Sequence, residues 1–314
     1  MTRLVVVGPT LTTASPAAGP IYGQAGIAAI AGTAHGDNVT ASPTMFRPIF
    51  STSEMGASIA VYVDRILHGK QAIVLFEENG FGQPLADGFQ TAAARIGIAV
   101  TTRGFTTAAD GEAAGRQAAA DPAHPVIVLA SLGDNAARVP MALRRANVQG
   151  PIIGPDAVGV DSFAALFANE PEERRQPGFF TEGVYAASAM ILDSANAETL
   201  AVADRFHRRF GSEFSWVSMQ GYDSARLAIA ALRDTANAGN AGDKRARRDT
   251  VRARLAAFDS PEPALPGLTG PRWFTPDRGR VEEIRFRGRS RRTGTTDCRG
   301  VGVPQPDTVA GIGR

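Results

Sequence analysis

Cysteine and histidine are scarce in this chain of 314 residues, and their scarcity limits its chemistry. The one cysteine is Cys298, so the chain can form neither an internal disulfide nor a cysteine-based zinc cluster. The four histidines are far apart in sequence, and no HxxxH or HExxH pair occurs. The sequence therefore predicts no metal site.

Long apolar runs are missing as well. No stretch reaches the ~18 uninterrupted apolar residues that a membrane-spanning helix needs. The opening residues, MTRLVVVG, contain one arginine and a short apolar run, without the longer apolar region and cleavage site of a signal peptide. As written, the chain is expected to remain in the cytoplasm.

The glycine signatures of nucleotide sites and the serine signature of hydrolases are absent. No GxGxxG follows a strand, no GxxxxGK[ST] occurs, and no serine has a GxSxG setting. No nucleophile, base and acid are grouped in the sequence. These absences disfavour a Rossmann-type oxidoreductase and predict a binding protein, with no catalytic residues and no cofactor.

Charge is nearly balanced, with a net charge of +2, but arginine crowds the end of the chain, as in RFRGRSRR. Such a segment can touch nucleic acid or anionic lipid, although a short Arg-Gly-Ser run is more often disordered. We therefore predict a disordered tail over residues 289–314 and no nucleic-acid partner.

What the sequence does have is a regular alternation of short apolar runs and alanine-rich segments. LVVVG, IAAIAG, AIVLFEE, VIVLAS and PIIGPD read as strands, and segments of helical periodicity separate them. This alternation predicts parallel sheets in a doubly wound α/β architecture. Helices and a final β segment follow, which indicates two lobes between which the chain crosses more than once.

Four hydroxyls follow the first predicted strand, in GPTLTTAS. Thr12, Thr13 and Ser15 suit the start of a helix, where they either cap it or help its N–H groups to hold an anion. Because the phosphate and dinucleotide patterns are absent, a small carboxylate fits best. Thr33 and His35 follow the next strand and can complete that site, or belong to a surface loop with a solvated histidine.

Further candidates follow later strands. Phe81 either covers an apolar ligand or packs in the core, and Asp156 either caps a helix or neutralises a ligand ammonium. Glu77 and Glu78 are adjacent on a strand end and face opposite ways, so they make a poor general acid/base pair. We expect both to be mostly solvated.

Six segments together carry a family resemblance. In order, VVGPTLTTASPAAGPIYGQAGI, FRPIFSTSEMGASIAVYV, AIVLFEENGFGQPLADGFQTAAARIGI, ANVQGPIIGPDAV, GYDSARLAIAAL and GLTGPRWFTPDRG resemble the leucine-binding family of type I periplasmic binding proteins. These are the substrate-binding components of ABC importers for branched-chain and other hydrophobic amino acids. The resemblance runs from about Leu4 to Arg287.

The resemblance implies two α/β lobes that close on an amino acid and deliver it to an ABC transporter permease. Lobe one then comprises residues 1–52 and 186–266, and lobe two residues 53–185 and 267–288. The implied ligand-binding residues are Thr12, Thr13, Thr33, His35, Phe81, Leu132 and Asp156, with Ala34, Tyr185 and Tyr222 as weaker candidates. The same fold also serves as the ligand-sensing domain of receptors and regulators, which is the alternative function.

The chain departs from the family pattern in three ways. Family chains open with a signal peptide and two strand–helix pairs before the segment that begins this chain, so we expect a truncated, incomplete first lobe. An intact member is periplasmic or an extracellular lipoprotein. His35 replaces a threonine of the family pattern, and the arginine-rich tail differs from the family's closing strands.

Overall fold

The computed structural model describes residues 3–237, 243–280, 284–288 and 299–300. The strands are β1 (Val5–Val7), β2 (Ala28–Ile30), β3 (Met45–Phe46), β4 (Gln71–Glu77), β5 (Ala99–Phe105), β6 (Val126–Ala130), β7 (Ile152–Gly154), β8 (Val184–Ser188), β9 (Leu265–Gly267), β10 (Gly270–Arg272), β11 (Arg285–Gly288) and β12 (Arg299–Gly300). The helices are α1 (Ser15–Ala25), α2 (Thr52–Arg65), α3 (Gly82–Ile96), α4 (Ala108–Ala119), α5 (Gly133–Arg145), α6 (Asp161–Ala165), α7 (Pro171–Arg175), α8 (Ala197–Phe210), α9 (Trp216–Asn237) and α10 (Lys244–Ala256). Short 3₁₀ turns occupy Asp37–Ala41, Asp156–Gly159 and Leu192–Ser194.

The first of two compact units comprises Met1–Ser51 and Ser194–Glu282. Its sheet is parallel, in the order β1-β2-β3. Apolar residues of β2, α9 and α10 form its main core with Phe46 and Phe274, whose ring centroids lie 5.1 Å apart. Strand β1 is the sheet edge, and within the described ranges it pairs only with β2.

The second unit comprises Thr52–Asp193 and the described part of Glu283–Arg314. Its sheet has the order β12-β11-β8-β7-β6-β4-β5, with β11 and β12 antiparallel to their neighbours and the other pairs parallel. Every residue of β6, VIVLA, is buried, as expected for a strand covered on both faces. The predicted doubly wound α/β class is thus confirmed.

Close helix packing in the second unit depends on two glycines of α2 and α3. A Cβ on Gly56 would lie 2.1 Å from the carbonyl oxygen of Leu85, and one on Gly88 would lie 2.3 Å from that of Ser53. Both distances are far shorter than van der Waals contact, so α2 and α3 approach closely only because these side chains are absent.

The boundaries between the two units differ from those predicted from the sequence. Residues 186–193 lie in the second unit, because β8 continues the sheet beyond β7 and pairs with β11. Residues 267–280 lie in the first unit, because Leu268 and Arg272 bind Asp223 of α9.

Most of the predicted disordered tail, 289–314, lies outside the described residues. The described part, Arg299–Gly300, pairs with β11 as strand β12. Among the described helices, none has both the length and the apolar character needed to cross a membrane.

Candidate functional site

The candidate residues of the first unit lie at the carboxyl ends of its three parallel strands. The hydroxyl turn, residues 10–13, follows β1; residues 33–35 follow β2; and residues 47–50 follow β3. Because the carboxyl ends of parallel strands meet at one sheet edge, the fold brings these three segments together. Ligands of α/β sheets bind at such an edge.

Two hydrogen bonds join the hydroxyl turn to the segment after β2. The Thr33 hydroxyl donates to the carbonyl oxygen of Thr10 at 2.8 Å, and the His35 N–H donates to Thr12 Oγ1 at 2.9 Å. The Thr12 hydroxyl therefore accepts one bond and keeps its own hydrogen for a further acceptor. Thr13, on the same turn, is exposed.

The start of α1 does not use these hydroxyls as caps. No side chain caps this helix; its N-cap is Ala14, in a helical backbone conformation. The Ser15 hydroxyl instead donates to the carbonyl oxygen of Leu11 at 2.9 Å. The capping interpretation of Thr12, Thr13 and Ser15 is thus wrong, because the turn closes through Ser15 and Thr12 binds the neighbouring segment.

His35 is buried, with 3% of its surface exposed, so the alternative of a solvated histidine is wrong. Its Nδ1 lies 3.0 Å from the carbonyl oxygen of Phe50. Its ring centroid lies 5.0 Å from that of Phe50 and 5.6 Å from that of Trp216. We call these three side chains the ring cluster; it fixes the imidazole beside the hydroxyl turn.

Three further residues of this edge were not predicted from the sequence: Phe50, Trp216 and Arg47. Arg47 is 4% exposed, and its Nη1 donates to the carbonyl oxygen of His35 at 3.4 Å. Phe50 and Arg47 were detectable in principle, because both lie in the segment FRPIFS, residues 46–51, which directly follows the start of β3 and so reaches the same sheet edge. For Trp216 no local signal exists, since it lies 181 positions after His35 in the chain.

The candidate residues of the second unit also follow neighbouring strands. Phe81 follows β4, Leu132 follows β6 and Asp156 follows β7, and these strands are consecutive in the sheet. Phe81 is 2% exposed, Leu132 37% and Asp156 2%. The second unit therefore gathers an aromatic ring, an aliphatic side chain and a carboxylate along one sheet edge.

Local hydrogen bonds explain the backbone at Phe81. Asn79 Oδ1 accepts from the N–H groups of Phe81 and Gly82, both at 2.9 Å, and so holds the turn before α3. Asp156 opens the turn Asp156–Gly159, whose N-cap residue is Pro155.

The expectation that Glu77 is mostly solvated is wrong. Its carboxylate accepts hydrogen bonds from Ser131 Oγ at 2.8 Å and from Asn135 Nδ2 at 3.0 Å. These donors flank Leu132, which precedes α5. Glu77 thus ties the end of β4 to the segment that carries Leu132, whereas Glu78 is exposed.

The three weaker candidates occupy different surroundings. The Ala34 side chain is buried in an apolar cluster with Val39 and Met45. Tyr185 lies near the start of β8, with its ring centroid 5.9 Å from that of Tyr62. Tyr222 lies on α9, is 37% exposed and has the Arg226 guanidinium 5.8 Å from its ring centroid.

A separate groove of about 580 Å³ lies between α1 and the turn Asp37–Ala41. Small, uncharged residues line it, including Pro16, Gly19, Pro20 and Gly23. No predicted ligand-binding residue lines this groove. Across the described residues, no group of three or more His, Cys, Asp or Glu side chains is placed to hold a metal ion.

Comparison with known proteins gives the family. The family model for periplasmic binding proteins matches residues 4–286 of the chain. The chain belongs to the periplasmic binding protein family. The predicted family and the prediction of a binding protein are thereby confirmed. No curated protein sequence matches the chain significantly.

Solved structures agree with this membership. The isoleucine complex of the branched-chain amino acid transporter substrate-binding protein LivJ from Streptococcus pneumoniae is 20% identical, with a TM-score of 0.77 over 95% of this chain and 79% of that one. The leucine-binding protein LivK from Thermotoga maritima is 16% identical, with a TM-score of 0.78 over 97% and 80%. A solute-binding protein from R. palustris in complex with benzoate is 20% identical, with a TM-score of 0.74 over 95% and 77%.

At these identities the similarity to solved structures establishes the fold of this periplasmic binding protein and not its ligand. The chain spans about four fifths of the length of the three structures, with 77 to 80% covered. Their ligands differ in chemistry: two of the proteins are named for amino acids, and one holds an aromatic carboxylate. All three nevertheless bind, or are named for, a small carboxylic acid.

Proposed function

We propose that this periplasmic binding protein captures an amino acid, branched-chain or otherwise hydrophobic, and delivers it to the permease of an ABC importer. The observation that carries the proposal is the hydrogen bond from the His35 N–H to Thr12 Oγ1, which joins two predicted halves of a carboxylate site. The proposed location of the working protein is that of its family, the periplasm or the cell exterior.

The ligand carboxylate is assigned to the first unit. The exposed Thr13 hydroxyl and the remaining hydrogen of the Thr12 hydroxyl are available donors, and Thr33 and His35 hold the turn in place. Hydrogen bonds to an ionised acceptor are about twice as strong as bonds between neutral groups, which favours a carboxylate over a neutral oxygen.

The ligand ammonium is assigned to Asp156 of the second unit. Asp156 is the one carboxylate among the predicted ligand-binding residues, and it follows β7 at the sheet edge. An ammonium supplies both a positive charge and three N–H donors. Leu132 and Phe81, which follow the next two strands along the sheet from β7, are assigned to the apolar side chain of the ligand.

An aromatic carboxylate without an ammonium is a second candidate ligand. The ring cluster of His35, Phe50 and Trp216 beside the hydroxyl turn favours it, because aromatic rings pack well against one another. Relatives of similar fold from Rhodopseudomonas hold benzoate and 3,4-dihydroxybenzoic acid.

Calorimetric titration tests both candidates. Leucine, isoleucine, valine and benzoate are titrated separately into the purified chain, with lysine as a charged amino acid that an apolar pocket disfavours. Dissociation constants in the micromolar range or below for one of the first three, and much weaker binding of lysine, support the proposal. Binding of benzoate alone replaces the amino acid by the second candidate, and absence of binding to all of them overturns the function.

The variant Asp156→Asn tests the assignment of the ammonium. It removes the charge and keeps the size, so affinity for the amino acid is expected to fall about 10- to 100-fold, the worth of a hydrogen bond to a charged group. Benzoate has no ammonium, so its affinity should change little. Asp87→Asn, at an exposed carboxylate on α3, is the matched control. Unchanged amino-acid affinity in Asp156→Asn would refute this role of Asp156.

A further inference from the structure

We propose that Trp216 is a further ligand-binding residue, whose indole N–H donates a hydrogen bond to the carboxylate of a monocarboxylic acid bound at the hydroxyl turn. The inference rests on the proposed function, since it adds a donor to the same carboxylate site. It also narrows the ligand class to molecules with a free carboxylate, whether or not they carry an ammonium.

The first observation is an unsatisfied donor. Trp216 is 8% exposed, and its Nε1 is buried without a hydrogen-bond acceptor among the residues that the structure describes. Most buried side-chain donors in proteins have a partner, and one that lacks it loses its hydration without compensation. A ligand acceptor at this atom would remove that loss.

The second observation is where the donor lies. The Trp216 ring is 5.6 Å from the ring of His35, and the backbone N–H of His35 binds Thr12. The indole therefore belongs to the sheet edge that carries the hydroxyl turn. Helix α9 and the strand ends that carry the hydroxyl turn all lie in the first unit.

The third observation concerns charge. Trp216 is the first residue of α9, a helix of 22 residues, and its first turn contains no acidic side chain. The N-terminus of a helix carries a partial positive charge and prefers a negative group nearby. An anion at the indole N–H is thus favoured by the helix as well as by the donor.

The hydrogen-bond donors at this site also indicate which kind of anion it favours. An indole N–H and threonine hydroxyls supply directional hydrogen bonds but no formal positive charge, which suits one negative charge spread over two oxygens. The guanidinium of the nearby Arg47 already donates to the carbonyl oxygen of His35. A phosphate, with more charge, would call for arginine or lysine directed at the ligand. The geometry therefore favours a carboxylate.

The test compares Trp216→Phe with wild type and with Trp273→Phe. Phenylalanine keeps an aromatic ring in the cluster and removes the N–H donor. Trp273 is the other tryptophan of the chain, and its ring lies 5.5 Å from the Arg280 guanidinium, so it serves as the matched control. Leucine, leucinamide, benzoate and benzamide are titrated calorimetrically into all three proteins.

For whichever acid the wild type binds, Trp216→Phe is expected to lose about 10- to 100-fold in affinity, the range for a hydrogen bond to a charged group. The preference of the wild type for the acid over its amide should shrink by a similar factor. Trp273→Phe should retain both the affinity and the preference.

Thermal unfolding with and without ligand provides an independent readout. The ligand-induced rise of the midpoint should be smaller in Trp216→Phe than in wild type, because the variant binds the acid more weakly.

The outcomes separate the two proposals. If the wild type binds an acid and Trp216→Phe binds it equally well, the role of Trp216 is wrong and the proposed function stands. If Trp216→Phe weakens acid and amide by the same factor, the indole acts through packing, and the proposed hydrogen bond is again wrong. If the wild type binds none of the acids, both proposals fall.

Discussion

At the scale of single residues, Glu77 is the clearest case of a polar side chain that organises its surroundings. Its carboxylate accepts from Ser131 and Asn135, on either side of Leu132. Glu77→Ala would leave the fully buried Ser131 hydroxyl without this acceptor. We expect a loss of about 1–3 kcal/mol in the free energy of unfolding, measured by urea denaturation.

Glu78→Ala is the control for this prediction, because Glu78 is adjacent and exposed. It should change the free energy of unfolding by less than about 0.5 kcal/mol. Equal effects of the two substitutions would show that the Glu77 hydrogen bonds do not stabilise the fold.

The pKa of Asp277 depends in part on Arg47, which donates a hydrogen bond to His35 of the candidate site. Burial raises the pKa of Asp277, but hydrogen bonds from the Thr275 hydroxyl and the Gly279 N–H, together with the charge of Arg47, lower the pKa by more. An aspartate whose pKa is lower in the folded chain stabilises it above the unfolded value of about 3.9, and this stabilisation is lost as the pH falls through the lowered value.

Asp277→Asn should therefore be less stable than wild type at neutral pH, and the difference should close as the pH falls below about 3.9 and through the lowered pKa of the folded chain. Urea denaturation at several pH values measures the gap. A gap of constant size across this range would contradict an electrostatic role for Asp277.

At the scale of elements, a buried ion pair joins the β9–β10 hairpin to α9. Asp223 and Arg272 have side chains 0% and 2% exposed, and Nε and Nη2 of Arg272 both lie 2.7 Å from Asp223 Oδ2. Asp223 also accepts from the N–H of Leu268 at 3.1 Å. The hairpin is thus held by charge-assisted hydrogen bonds in addition to apolar contact.

Asp223→Ala should lower the free energy of unfolding by about 3–5 kcal/mol, because it leaves the Arg272 guanidinium buried without its carboxylate. Arg226→Ala on the same helix removes an exposed pair with Glu198, 3.2 Å long, and should cost less than about 1 kcal/mol. Chemical denaturation of both variants measures the contrast, and a small effect of Asp223→Ala would show that the pair is replaceable.

Elements with a strong local pattern were predictable from the sequence. The all-apolar run VIVLA could only be a buried strand, and Gly97 closes α3 in a left-handed conformation, with φ of 78°, as a glycine after a helix does. The start of α1 was not predictable in detail. Several hydroxyls competed to cap it, and the partner of Thr12 comes from the segment after β2, 23 positions away.

At the scale of the whole molecule, the fold class and the family followed from the order of segments, whereas the division into units did not. That division depends on which distant strand pairs with β8, and β11 takes this place from almost 100 residues further along the chain. Periodicity within a segment carries no information about such pairing. The same limit hid Trp216, whose neighbour His35 belongs to the other end of the first unit.

The edge strand β1 has a practical consequence for work on this protein. No Asp, Glu, Lys or Arg occurs from residue 4 to residue 36, and Val7, Leu11 and Ile21 are 48%, 64% and 65% exposed. An edge strand without charges lacks the usual obstacle to pairing with another chain. We expect any association of copies through this surface to be driven by apolar contact, and therefore to weaken on dilution more than on changes in ionic strength.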